Sequence, residues 1–151
     1  MEYLLNKGAI IDDSSTIYGS PLHYACRSGR IQICKLLIDF GANVNLKVGH
    51  NQMTPLHLLI ISNAPRSGAN KIVKKLIEKG ADVNAKYLAD GSTCLHLAVR
   101  RNREELVRIL AKNGALLNVQ NFRGETPYEV ALKLPKLPRS RITKLFYSIG
   151  H

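Results

Sequence analysis

Residues 52–61 read QMTPLHLLII, and the fold turns on four of them, Thr54-Pro55-Leu56-His57. A histidine set beside an apolar run could be a catalyst, a metal ligand or a structural peg. The signal recurs, which decides how it is read. Ser20-Pro21-Leu22-His23 precedes it, Thr93-Cys94-Leu95-His96 follows, and Thr126-Pro127-Tyr128-Glu129 is a worn fourth copy. The Ser/Thr positions are spaced by 34, 39 and 33 residues. A second marker keeps the same register: Gly-Ala pairs begin at Gly8, Gly41, Gly80 and Gly114. Two markers in step define an internal repeat, and a repeat sets the architecture before any site can be argued.

Each marker has a physical reading. Ser20, Thr54, Thr93 and Thr126 are N-caps, whose hydroxyls can accept from the free N–H groups of a first helical turn. Pro21, Pro55 and Pro127 stand at the first helical position, where a missing N–H costs nothing, and Cys94 departs from that pattern. Leu22, Leu56 and Leu95 begin the buried face of a short first helix. The stretches IQICKLLIDFG, KIVKKLIEKG and ELVRILAKNG place apolar residues three and four apart, as a second helix requires. Gly41, Gly80 and Gly114 stop those helices in the left-handed conformation. About five extra residues in ISNAPRSGANK carry Pro65 and Gly68, which places the insertion in the turn between two helices. At the C-terminus Pro135 and Pro138 separate a first helix from a closing one, with Ile142, Leu145, Phe146 and Ile149 on one face.

TPLH followed by Gly80-Ala81-Asp82-Val83-Asn84 resembles the ankyrin repeat, and the resemblance covers essentially the whole chain. It implies an all-α solenoid of helix-turn-helix units linked by β-hairpin loops, about four repeats plus an N-terminal half repeat. The single domain 1–151 then divides into a half repeat 1–14 and repeats 15–47, 48–86 with the insertion, 87–120 and the capping repeat 121–151. The half repeat would mark either the start of a gene or a fragment. The resemblance also implies that His23, His57 and His96 bond local backbone and tie neighbouring repeats. Lying in separate repeats, with packed helix layers ~10 Å apart, they cannot share a metal ion.

The chemistry that remains is that of binding. No nucleophile–base arrangement, phosphate loop or metal spacing stands out, so no enzyme, cofactor or metal is expected. The odd cysteine number and the absence of a leader point to buried reduced thiols at Cys26, Cys34 and Cys94, and to a monomeric cytoplasmic or nuclear chain. Apolar residues make up 45% of the 151, enough for a core, and no run approaches the ~20 residues of a membrane span. The count of 22 Lys+Arg against 11 Asp+Glu, net +11, favours a protein partner with an acidic or mixed surface. In ankyrin proteins partners meet hairpin tips and the exposed side of first helices. Carried over by position, and weighted to the residue types that dominate interfaces, this selects Arg27, Tyr87, Arg100, Arg101, Phe122 and Arg123. The alternative of nucleic-acid binding through the basic surface is disfavoured, because the cations are spread over every repeat and no aromatic stacking platform is present.

Three local resemblances go further. Asn121 to Pro127, NFRGETP, is similar to a hairpin of the cytoplasmic inhibitors of NF-kappaB, which small viral ankyrin proteins imitate; it implies a regulator of host signalling. The stretch LPKLPRSRITKLFY, residues 134–147, is similar to the cullin-contacting end of a SOCS box, without the elongin-binding element that should precede it. LIEKGADVN, with Leu76 eight before Asn84 and Asp82 two before, resembles the motif that oxygen-sensing asparaginyl hydroxylases modify in ankyrin hairpins. It makes Asn84 a candidate for hydroxylation, with Asn45 next.

Overall fold

The computed structural model describes residues 10–14 and 19–150, with the backbone alone for 136–140. The proposed half repeat at residues 1–14 therefore falls largely outside the described residues. Eight helices lie within them: α1 (Pro21–Arg27), α2 (Ile31–Asp39), α3 (Pro55–Ile61), α4 (Arg66–Glu78), α5 (Cys94–Arg100), α6 (Glu104–Lys112), α7 (Pro127–Leu132) and α8 (Lys136–Ile149). The chain forms two compact units, residues 1–82 and 83–151.

In the first unit α1 packs on α2 and α3, and α4 packs on α2 and α3. Its core consists of Leu22, Leu37, Ile38, Leu56, Leu58, Leu59, Ile60 and Leu76, all shut from solvent. In the second unit α5 packs on α6 and α7, and α8 closes against α6 and α7. Leu95, Leu106, Leu110 and Ile142 fill that core. The SOCS-like stretch is thus a packed helix whose apolar residues Ile142, Leu145 and Phe146 are buried. Pro138 does not delay this helix. It lies in the first turn, where its absent N–H has no intrahelical partner to lose, and α8 begins at Lys136.

The helix stops follow one geometry. Gly41, Gly80 and Gly114 have φ of +86°, +89° and +88°. The alanine after each returns its N–H to the helix, Ala42 to Leu37 O, Ala81 to Leu76 O and Ala115 to Leu110 O, at 2.9–3.0 Å. Each glycine adds its own N–H, to Ile38 O, Ile77 O and Ala111 O, and the two bonds together are the Schellman closure, which satisfies carbonyls a helix end leaves bare.

The insertion is built differently from its expected place in a turn. Pro65 caps α4 and Gly68 lies inside it, so part of the extra length became helix: α4 has 13 residues where α2 and α6 have 9. The remainder is pinned. Ser62 Oγ donates to Leu59 O (2.8 Å) and accepts from Ala64 N–H (3.2 Å). A Cβ on Gly29 would come within 3.0 Å of Ala64 Cα, and one on Gly68 within 2.9 Å of Ile31 Cγ1. The inserted segment is held against the turn between α1 and α2 by glycines that let it approach.

The hairpin loops are shorter than strands: each is one antiparallel bridge, Val48 with Met53 and Lys86 with Thr93. The histidines connect these loops to the helices. His96 Nδ1 accepts from Thr93 N–H (3.2 Å) and lies 3.0 Å from Thr93 Oγ1. Its Nε2 lies 2.9 Å from Glu125 O, in the next hairpin. A backbone N–H can only donate and a carbonyl can only accept, so the ring must be neutral with its hydrogen on Nε2. His57 makes the same reciprocal cap with Thr54, at 3.2 and 2.8 Å. His23 meets Ser20 Oγ at 2.8 Å and donates to Leu46 O at 2.9 Å. Ser20 therefore gives its hydroxyl to the imidazole instead of to a helix N–H, a departure from the simple cap expected of it.

These imidazoles are pegs with a defined protonation state. Burial lowers the pKa of both His23 and His96, and the carbonyl each ring faces only partly opposes this. A folded pKa below the unfolded ~6.5 means that the unfolded chain binds the proton first. The histidine contribution to stability is complete above that value and is lost as pH falls through the lower, folded values. The shifted carboxyls Asp39, Asp90, Glu125 and Glu129 are also lowered, so their loss comes only below about pH 4.5. Urea midpoints measured from pH 7 to pH 5 should therefore decline. The double variant His23→Gln with His96→Gln should start lower, by about 1 kcal/mol per site, and show a flatter decline. An unchanged slope would mean that the imidazoles do not control this acid limb.

Candidate interaction surface

A second set of cross-repeat bonds comes from the fifth residue of three of the Gly-Ala segments. Asn45 Nδ2 donates to Gly80 O (2.8 Å) while its Oδ1 accepts from Asp82 N–H (2.8 Å). Asn84 repeats this one step on, with Gly114 O at 2.9 Å and Leu116 N–H at 2.8 Å. Asp12 occupies the equivalent place and accepts from Asn43 N–H at 2.8 Å, but a carboxylate has no amide hydrogen to donate. Each asparagine thus clamps the carbonyl and N–H of two backbone positions two residues apart. Asn84, the candidate hydroxylation residue, has its amide engaged at both ends. Both of these side-chain bonds run to the following repeat.

The hairpin 86–93 is held by a buried-edge network in the second unit. Arg100, at the end of α5, places Nη2 3.2 Å from both Asp90 Oδ2 and Ser92 Oγ. Ser92 N–H donates to Asp90 Oδ1 at 2.9 Å. Burial alone would raise the Asp90 carboxyl; bonds from Ser92 and Tyr87, with the Arg100 charge, outweigh it and lower it. Tyr87 is raised, first by burial and then by its bond to Asp90. Arg100 is therefore committed largely to its own fold.

The next hairpin lies on this one. Phe122 N–H donates to Asp90 O at 2.8 Å, and Lys86 Nζ donates to Gln120 O at 2.8 Å. The Phe122 ring sits where a Cβ on Gly91 would be, 2.5 Å from its Cδ1. Gly91, at φ +70°, is required twice, for its backbone and for the ring it seats. Yet Phe122 remains 66% exposed. Asn121 shapes the turn beneath it, with Oδ1 accepting from Arg123 N–H (2.9 Å) and Glu125 N–H (3.0 Å).

Of the residues selected from sequence, Tyr87, Arg100 and Phe122 are brought together around Asp90. Arg123 follows Phe122 directly and is exposed; Arg101 is exposed at the end of α5. Arg27 is exposed at the end of α1, in the first unit. Position alone marked Asp90 as a candidate partner contact; that Asp90 and Ser92 hold the hairpin was not seen from sequence. Their only local sign was an acidic residue two before a serine at a turn, the pattern of a side chain bonding its own backbone. A further recess of about 280 Å³ lies in the second unit between Leu117, Asn118, Thr126, Tyr128, Phe146, Tyr147 and Gly150. The Tyr128 and Tyr147 hydroxyls meet there at 3.0 Å.

Helix pairs, glycine stops and cross-repeat asparagines agree with the comparison to known families. Residues 1–87 match a model of ankyrin repeats in three copies, and residues 76–131 a model of ankyrin repeats in many copies. The chain belongs to the ankyrin repeat family. It is also similar to ankyrin repeat and SOCS box protein 11 of Mus musculus, 30% identical over 134 residues. That match covers 87% of this chain and 28% of the mouse protein, so the chain spans under a third of that relative's length. Ankyrin repeats are in general protein-interaction modules without enzymatic activity, and no helix among the described residues is long and apolar enough to cross a membrane. Asn84→Ala removes both halves of one clamp, and the unfolding free energy from urea melts should fall by about 1–2 kcal/mol. A change below about 0.3 kcal/mol would show the clamp to be energetically idle.

Proposed function

We propose that this ankyrin chain docks a protein partner with an acidic or mixed surface on the hairpin tips of its second unit. The contact residues are Tyr87, Arg101, Phe122 and Arg123, with Arg100 positioning Tyr87 through Asp90; Arg27, in the first unit, is a candidate contact by itself and not part of this surface. The observation that carries the reading is Phe122: a large aromatic ring, mostly exposed, yet fixed over Gly91 by a backbone bond to Asp90. An exposed apolar side chain costs little to bury when its conformation is already set. Aromatic and arginine side chains together are the usual anchors of interfaces, and the net charge of +11 selects the sign of the partner.

Affinity capture from cell extract followed by mass spectrometry would supply the partner, and titration calorimetry the comparison among variants. Phe122→Ala should weaken binding at least tenfold without changing the melting temperature. Arg101→Glu with Arg123→Glu should do the same. The control, Lys71→Glu with Lys74→Glu, makes an equal charge change at exposed positions of α4 and should leave affinity within about twofold. Equal losses from both double variants would replace docking with diffuse attraction. A nucleic-acid partner would instead give affinity that falls steeply with salt and ignores Phe122.

A further inference from the structure

Two of the three cysteines meet. Cys26, on α1, and Cys34, on α2, bring their sulfurs to 3.8 Å across the turn that joins the two helices, and both are shut from solvent. Cys94 is equally buried, in the second unit. We infer that Cys26 and Cys34 form a dithiol site that peroxide closes to a disulfide, stapling α1 to α2 at the base of the turn carrying Arg27.

The geometry supplies most of what the bond needs. A disulfide requires sulfurs at about 2.05 Å, so the pair must close by less than 2 Å, within the reach of small side-chain and helix shifts. The two lie eight positions apart in sequence, too few for either helix to move far from the other. The pair is chemically asymmetric. The hydrogen bond from Cys26 lowers the Cys34 thiol, while the same bond and burial raise Cys26 well above its ordinary value. Cys34 is therefore the attacking thiolate. Its sulfur takes one oxygen of hydrogen peroxide, breaking the O–O bond and giving a sulfenic acid and hydroxide. The Cys26 sulfur then attacks the Cys34 sulfur, expelling a second hydroxide. The two thiol protons convert both hydroxides to water, so two thiols and one peroxide yield one disulfide and two waters.

Burial sets the conditions rather than forbidding the step. The turn Arg27–Arg30 between the two cysteines is closed by Ser28 N–H to Tyr24 O (2.9 Å), Gly29 N–H to Cys26 O (3.2 Å), Arg30 N–H to Ala25 O (2.9 Å) and Ile31 N–H to Gly29 O (3.0 Å). Oxidation should proceed through opening of this turn, slowly and without global unfolding. Once formed, the bond closes a short loop and restrains the turn that presents Arg27.

The test treats the folded full-length chain with hydrogen peroxide, traps remaining thiols by alkylation in denaturant, and maps peptides by mass spectrometry. Trypsin cuts after Arg27 and Arg30, so a bonded pair appears as two linked peptides lacking two hydrogens. The expected result is that linkage between Cys26 and Cys34, its reversal by dithiothreitol, and a melting temperature raised by about 5 °C. Cys26→Ser and Cys34→Ser should each abolish the linkage and the shift, while Cys94→Ser keeps both. If Cys26→Ser or Cys34→Ser fails to fold, the wild-type peptide map alone decides. No linkage in the folded chain when the urea-unfolded chain does link would overturn the proposal, as would linkage through Cys94.

Discussion

The neutral imidazole is the constraint on which the rest of this structure depends. One ring nitrogen of His96 is committed to the cap of its own helix and the other to a carbonyl in the following hairpin. A single rigid group thus sets the start of a helix and the distance to the next unit of the stack. Short helices such as α5, with seven residues, are too small to hold themselves in water, and tertiary ties of this kind are what maintain them. Because the ring works only without a proton, the same device that gives the fold its spacing also ties its stability to pH.

Much of this could be read from the chain before any coordinates. The doubled marker, Thr-Pro-Leu-His and Gly-Ala, located the starts of α1, α3, α5 and α7 and the stops of α2, α4 and α6, because caps and glycine stops depend on local chemistry. What escaped was whatever depended on neighbours distant in sequence. Pro65 and Gly68 looked like turn residues; one caps a helix and the other lies within it, because a glycine was needed there to let Ile31 approach. Asn84 stood out only as a hydroxylation candidate, and its reach 30 and 32 residues onward could not be seen locally. Arg100 was selected as an exposed arginine, and its partner Asp90, ten residues earlier, could be found only once the hairpin had folded back.

The proposed docking surface illustrates how stability and recognition share residues here. Asp90 accepts from Arg100 with its side chain and from Phe122 with its backbone, so one residue of a tight turn supports both a charge and an aromatic ring. Rigid support beneath an exposed side chain removes entropy that a partner would otherwise have to supply. Gly91 completes the arrangement by leaving room for the ring.

The asparagine clamps have one more consequence. The clamps of Asn45 and Asn84 grip main-chain atoms, and the residues whose N–H groups they hold are Asp82 and Leu116; Asp12 holds that of Asn43. An amide, an acid and an aliphatic chain are accepted alike, since the grip never inspects them. The clamp itself is therefore blind to these outward-facing side chains, although Asn43 also accepts the Asn45 N–H through its own Oδ1 at 2.9 Å. As far as the clamp is concerned, their lettering is left open to selection by whatever binds outside.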